Sequence, residues 1–89
     1  MAVSGSLPQP GVLELDIHGM TVRQAKTFLE SQLRKAPRSV YRIAVIHGYR
    51  GGTELRELVR GPIAHHPKVL RYELGLNPGV TELVLRELY

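Results

Sequence analysis

The sequence predicts an α/β fold, a single β-α-β-α-β-β mixed-sheet domain with helices packed on the sheet. Three observations predict it. Short apolar runs alternate with stretches of helical periodicity. Twice such a run closes on a His-Gly pair, at residues 18–19 and 47–48, just before a helical pattern begins. Residues 69–88 then hold two alternating runs joined by the turn sequence GLNPG, which reads as a hairpin. At 89 residues the chain is the size of one small domain.

Residues 1–11 are small and polar with Pro8 and Pro10, and read as a disordered tail ahead of a domain at 12–89. VLELDI, 12–17, is the first strand. Its alternation places Leu13, Leu15 and Ile17 on one face and Val12, Glu14 and Asp16 on the other. Thr21 to Gln24 fits a capping box, in which cap hydroxyl and Gln amide satisfy orphan backbone N–H groups. Val22, Ala25, Phe28, Leu29 and Leu33 follow at spacings that share one helical face, and Pro37 ends the helix.

VYRIAVI, 40–46, is nearly continuous in apolar residues, as a central buried strand should be. A second helix starts near Thr53, with Leu55, Leu58, Val59 and Ile63 inward, and Gly61-Pro62 must kink or divide it. His65-His66 before Pro67 ends it, histidine suiting the negative end of the helix dipole. VLRYEL, 69–74, alternates as a strand with one wet face, and VTELVLREL, 80–88, is the last strand. Its exposed edge offers a place for another copy to pair, although nothing requires it, and a monomer is expected.

Composition removes several classes. With no cysteine there is no disulfide, no thiol nucleophile and no cysteine-based zinc site. No apolar run approaches the ~18 residues needed to span a bilayer, so no membrane partner is expected. The first eleven residues lack the pattern of a secretory signal, and the expected location is cytoplasmic.

The net charge of +4 and pI of about 9.9 point to a polyanionic partner. Residues 19–52 concentrate it, with Arg23, Lys26, Arg34, Lys35, Arg38, Arg42 and Arg50 against the single acid Glu30. Residues 53–89 are balanced, so one side of the domain is the candidate nucleic-acid face.

A strand, helix, strand unit makes parallel strands, so the ends of the first two strands share one rim of the sheet. His18 and His47 follow those ends. That rim is where open α/β sheets usually bind ligands. Asp16 and His18, two apart on a strand, point to the same side. The loop Gly48-Tyr49-Arg50-Gly51-Gly52 lets backbone approach a ligand closely, with Arg50 and Arg56 flanking it. The helix after it presents free N–H groups suited to phosphate. No GxxxxGK[ST] pattern is present, which disfavours a nucleoside triphosphatase. Tyr49 is placed to stack on a base; Tyr41, Tyr72 and Tyr89 read as core or edge residues.

LDIHGM, 15–20, resembles the LDLHG signature of the Smr (small MutS-related) domain, and IHGYRGGTELR, 46–56, resembles its HGxG-type motif. The order of elements agrees with that family, whose fold is similar to the C-terminal domain of translation initiation factor three. The resemblance spans residues 12–88. It implies a nuclease or nucleic-acid-binding module, with the family's implicated positions at Asp16, His18, Gly19, His47, Gly48, Gly51, Gly52 and Arg56. One departure stands in the second motif, where Arg50 occupies a place the common pattern gives to glycine.

The expected function is an endonuclease that cleaves RNA or nicks DNA. His18 serves as general base or acid oriented by Asp16, and His47 as its partner or a phosphate ligand. Gly19, Gly48, Gly51, Gly52, Arg50, Arg56, Arg23 and Lys26 bind nucleic acid or phosphate, the arginines stabilising developing charge. On RNA the 2′-hydroxyl can be the nucleophile with no cofactor. The alternative is Mg²⁺ held by Asp16, His18 and His47, for which one carboxylate is few. Two non-enzymatic readings compete: a module docking on nucleic acid or the ribosome through the basic helix, and a protein-interaction domain with vestigial motifs.

Overall fold

A computed structural model describes the backbone of residues 5–48 and 53–87, with side chains from residue 10 onward. The elements run β1 (Gly5–Gln9), β2 (Val12–Asp16), α1 (Val22–Lys35), β3 (Arg42–Ile46), α2 (Glu54–Leu58), β4 (Arg71–Leu74) and β5 (Val80–Val84). They form one five-stranded sheet of order β1-β2-β3-β5-β4. β2 and β3 pair in parallel, as the intervening α1 requires; the other neighbours are antiparallel.

Helix α1 starts where the sequence places it. Thr21 Oγ1 accepts from the Gln24 N–H at 3.1 Å, and the Gln24 amide oxygen accepts from the Thr21 N–H at 3.0 Å. Ala25, Leu29 and Leu33 are buried, whereas Val22 on the same stripe is 40% exposed at the rim end of the helix. At the other end the Lys68 ammonium donates to the carbonyls of Leu33 and Arg34, a cation satisfying the last turn.

Gly61-Pro62 divides the second helix rather than stopping it. After α2 the chain continues as a π-helical turn, Val59–Ile63, that contains Pro62. Proline has no N–H to give an α-helical bond, and the wider turn keeps both Val59 and Ile63 buried. The helices cover one face of the sheet, where Leu15, Ile17, Ile43, Val45 and Leu83 join Ala25, Leu29, Leu33, Leu58, Val59 and Ile63 in one core. Each fully buried Leu or Ile contributes roughly 1.5–3 kcal/mol.

The opposite face carries ion pairs. Glu73 and Glu82 sit directly across β4 and β5, a like-charge pairing that would destabilise the sheet. The Arg42 guanidinium on β3 donates to both carboxylates and resolves the conflict. Arg71 extends the set to Glu73 and Glu87.

Two expectations are corrected. Residues 5–9, assigned to a disordered tail, form β1 on the edge beside β2. Prolines read as tail signals, yet an edge strand tolerates them, and the β1–β2 register shifts between Ser6 and Gln9, around Pro8. The final strand has no free edge, because β5 lies between β3 and β4. The hairpin folds β4 outward, and β4 takes the edge instead. Among the described residues no helix is long and apolar enough to cross a membrane.

Candidate nucleic-acid site at the strand rim

Parallel register aligns Asp16 with Ile46, so the chain leaves β2 and β3 side by side at one rim. Ile17 N–H still donates to the Ile46 carbonyl at 2.9 Å. The chain then turns at His18-Gly19, the Met20 N–H donating to the Ile17 carbonyl at 3.0 Å. Gly19 is the third residue of that turn with φ +86°, the conformation a type II turn demands there. A Cβ at Gly19 would meet nothing within 4 Å, so backbone conformation, and not space, calls for glycine.

This turn presents His18. Asp16 Oδ1 accepts from the His18 backbone N–H at 3.0 Å and from His18 Nδ1 at 2.5 Å. A carboxylate is acceptor-only, so Nδ1 is the donor, and in the neutral ring Nε2 then carries the lone pair. The imidazole side chain is 68% exposed. The two-residue spacing therefore yields an oriented imidazole whose outward nitrogen can accept a proton.

The second His-Gly pair meets the first here. A Cβ on Gly48, whose φ is +78°, would lie 3.6 Å from the Cβ of His18. His47 and Gly48 are anchored by their backbone N–H groups, both donating to the Gly79 carbonyl of the β4–β5 turn.

The two histidines differ in environment. His47 is 4% exposed. Its Nδ1 donates to the Gly48 carbonyl at 2.8 Å, which leaves Nε2 to accept from the Thr81 hydroxyl at 2.8 Å. Thr81 Oγ1 in turn accepts from Arg60 Nε at 2.9 Å. Burial lowers the His47 pKa; the bond to Gly48 opposes this, while Arg60 and Arg56 lower it further. Both ring nitrogens are committed, so His47 shapes the Gly48 turn from below while His18 faces solvent.

Arg56 is half-buried on α2, near enough to bear on His47. Arg23 and Lys26 are exposed on the first turns of α1. Cations there oppose the helix dipole, and α1 has no acid in its first turn to offset them. α2 spans only five residues and Thr53 makes no side-chain cap, so its dipole is a weaker phosphate attractor than the sequence suggested. Tyr49, Arg50, Gly51 and Gly52 lie outside the described residues.

The metal alternative fits poorly. Among the described residues no group of three or more His, Cys, Asp or Glu side chains is placed to share an ion. His47, one of the three suggested ligands, has both nitrogens engaged with Gly48 and Thr81.

Sequence reasoning missed Arg60 and Thr81. Thr81 alternates within a strand like any core-facing residue, and it is 34 positions from His47, so no local signal links them. His65 behaves as expected at the end of the helical segment, its Nδ1 donating to the Gly61 carbonyl at 2.7 Å.

Comparison with known proteins agrees with the motifs. The family model described as the Smr domain matches residues 15–79. No curated protein sequence matches the chain. Among solved structures, the Smr domain of Thermus thermophilus MutS2 is similar with a TM-score of 0.71 and 26% identity. That similarity covers 83% of this chain and 98% of the other.

Proposed function

The chain belongs to the Smr domain family, and from that premise we propose that it binds nucleic acid and cleaves its phosphodiester backbone. The observation that carries this reading is the Asp16–His18 pair, one imidazole held by its Nδ1 with Nε2 turned to solvent at the rim. Family membership supports nucleic acid as the partner, and the exposed Arg23 and Lys26 supply the charge to hold it.

On RNA, His18 Nε2 takes the proton of a 2′-hydroxyl. The 2′-oxygen attacks the adjacent phosphorus as the P–O5′ bond breaks; the 5′-oxygen takes a proton from water, leaving a 2′,3′-cyclic phosphate and a 5′-hydroxyl, and the imidazolium returns its proton to solvent. Asp16 stabilises the imidazolium formed in that step, and Arg56 offsets charge on the phosphoryl oxygens. His47 acts as a positioning residue for Gly48, below the turn that faces the backbone of the substrate. On DNA there is no 2′-hydroxyl, and the same imidazole would activate water.

The deciding experiment is cleavage of matched end-labelled RNA and DNA, with Mg²⁺ or with EDTA, by wild type and His18→Ala. Removing a general base typically costs about 10²–10⁴-fold in rate. Activity in EDTA on RNA, cyclic phosphate ends and their loss in His18→Ala are the expected results. Equal cutting by both proteins would refute the assignment.

A second reading, binding without cleavage, is favoured by one observation. Among the described residues only His18 has an uncommitted ring nitrogen at the rim, so they do not supply both the acid and the base of a two-histidine mechanism. In that case neither protein cuts, and retention of nucleic acid falls steeply with salt.

A further inference from the structure

Apolar side chains alternate along one edge of the molecule. Leu70, Tyr72, Leu74 and Leu76 are 58%, 41%, 64% and 106% exposed. The spacing of two puts Leu70, Tyr72 and Leu74 on a single face of β4, and Leu76 follows in the bend after it. Tyr72 and Leu74 pair with the buried Leu83 and Thr81, so this is the face that the helices cover elsewhere. β4 is also a sheet edge, and among the described residues no strand pairs with its outer side.

The two edges of the sheet are not alike. β1 carries Pro8 and an irregular register, devices that blunt an edge against pairing. β4, Arg-Tyr-Glu-Leu, has no proline and adds exposed apolar surface to unpaired backbone.

We infer that β4 is a self-association edge, pairing antiparallel with β4 of a second copy about a two-fold axis at Tyr72. Charge selects both partner and register. Directly opposed residues in an antiparallel pair share a face. Centring on Tyr72 sets Leu70 against Leu74 of the second copy on the apolar face. On the other face it sets Arg71 against Glu73 and Glu73 against Arg71. Centring on Arg71 or Glu73 places like charges face to face, and centring on Leu74 sets Glu73 opposite Gly75 with no charge gain. One register is thus self-complementary on both faces at once. Arg71 is exposed and Glu73 half-buried, and their existing ion pair would extend across the axis. So short an edge gives an interface below about 1,200 Å², the transient class. The association is expected to be reversible, in place of the strict monomer the sequence suggests.

The test is sedimentation equilibrium of the full chain from micromolar to millimolar concentration. Wild type should rise from 10.0 kDa toward twice that mass. Arg71→Glu and Glu73→Arg each create two like-charge oppositions and should weaken pairing about tenfold. Mixed together, the two variants oppose only unlike charges and should associate again, which an effect on folding alone would not reproduce. Leu74→Lys, at a side chain already 64% exposed, should abolish association without touching the charges. A wild type that stays monomeric throughout overturns the inference. So does association indifferent to both charge swaps. If monomeric wild type loses nucleic-acid retention on Leu74→Lys or Tyr72→Ala, the stripe serves the nucleic acid and the inference also fails.

Discussion

The Thr81 hydroxyl lies 2.8 Å from His47 Nε2, joining a side chain on the hairpin to one at the end of a central strand. It occupies the middle of a chain of hydrogen bonds, Arg60 to Thr81 to His47 to the Gly48 carbonyl. With His47 neutral, every member has one consistent role as donor or acceptor. The first prediction concerns the hydroxyl. Thr81→Val keeps the shape and strands Nε2 and an Arg60 N–H, with a buried polar group left unpaired. Stability should fall by about 1–3 kcal/mol, read from urea unfolding. A change within experimental scatter would mean that water replaces the hydroxyl.

Stability should also depend on pH through His47. Its folded pKa lies below the ordinary value of about 6.5. Above that value both folded and unfolded forms are neutral and the group contributes no slope. As pH falls below about 6.5 the unfolded chain binds the proton first, so stability declines until the folded pKa is reached. His47→Gln should flatten that decline. Glu73 and Glu87 have folded pKa values lowered by their arginine partners, so their contribution is lost only at more acid pH. The two windows are separable in a set of unfolding curves between pH 7 and acid.

Gly19→Ala tests whether the turn sets the imidazole. With φ +86° and open space around the added methyl, the cost is backbone strain, about 1–2 kcal/mol. The expected outcome is a folded protein with modestly reduced stability. The crosspeaks of His18 should move in NMR spectra, because the turn relaxes and the bond to Asp16 changes. Unmoved imidazole resonances would show that Asp16 alone holds the ring.

Arg23 and Lys26 should contribute through charge and not through fold. The double variant Arg23→Glu, Lys26→Glu should unfold at nearly the wild-type midpoint, since both side chains are exposed. If each contacts a phosphate, the slope of log affinity against log salt should shrink by about 0.7–0.9 per contact. Fluorescence anisotropy with RNA at several salt concentrations reads this directly. An unchanged slope would move the binding face away from α1.

The rim was legible in the sequence because strand ends and turns are local. Asp16 and His18 stand two apart, Thr21 and Gln24 three, and such spacings dictate a shared side or a capping box whatever surrounds them. β1 was not legible, because its prolines and small residues suit a tail as well as an edge strand, and only pairing with β2 decides. The break in the second helix was foreseen at Gly61-Pro62, but a π turn rather than a kink depended on keeping Val59 and Ile63 in the core.

The sequence by itself determined the family, the order of the elements from β2 onward and the place where two His-Gly pairs meet, all consequences of short-range pattern. What buries His47 came from the tertiary structure alone. His18 and His47 each close a strand before a glycine, but Asp16 stands two residues before the first and Val45 two before the second. One is turned outward by a carboxylate two residues away; the other is drawn under the sheet edge by Thr81, 34 residues on. The assignment of β4 rather than β5 to the edge has the same origin. Strand order follows from which surfaces bury together across the whole sheet, and that is a long-range sum no short stretch of residues contains.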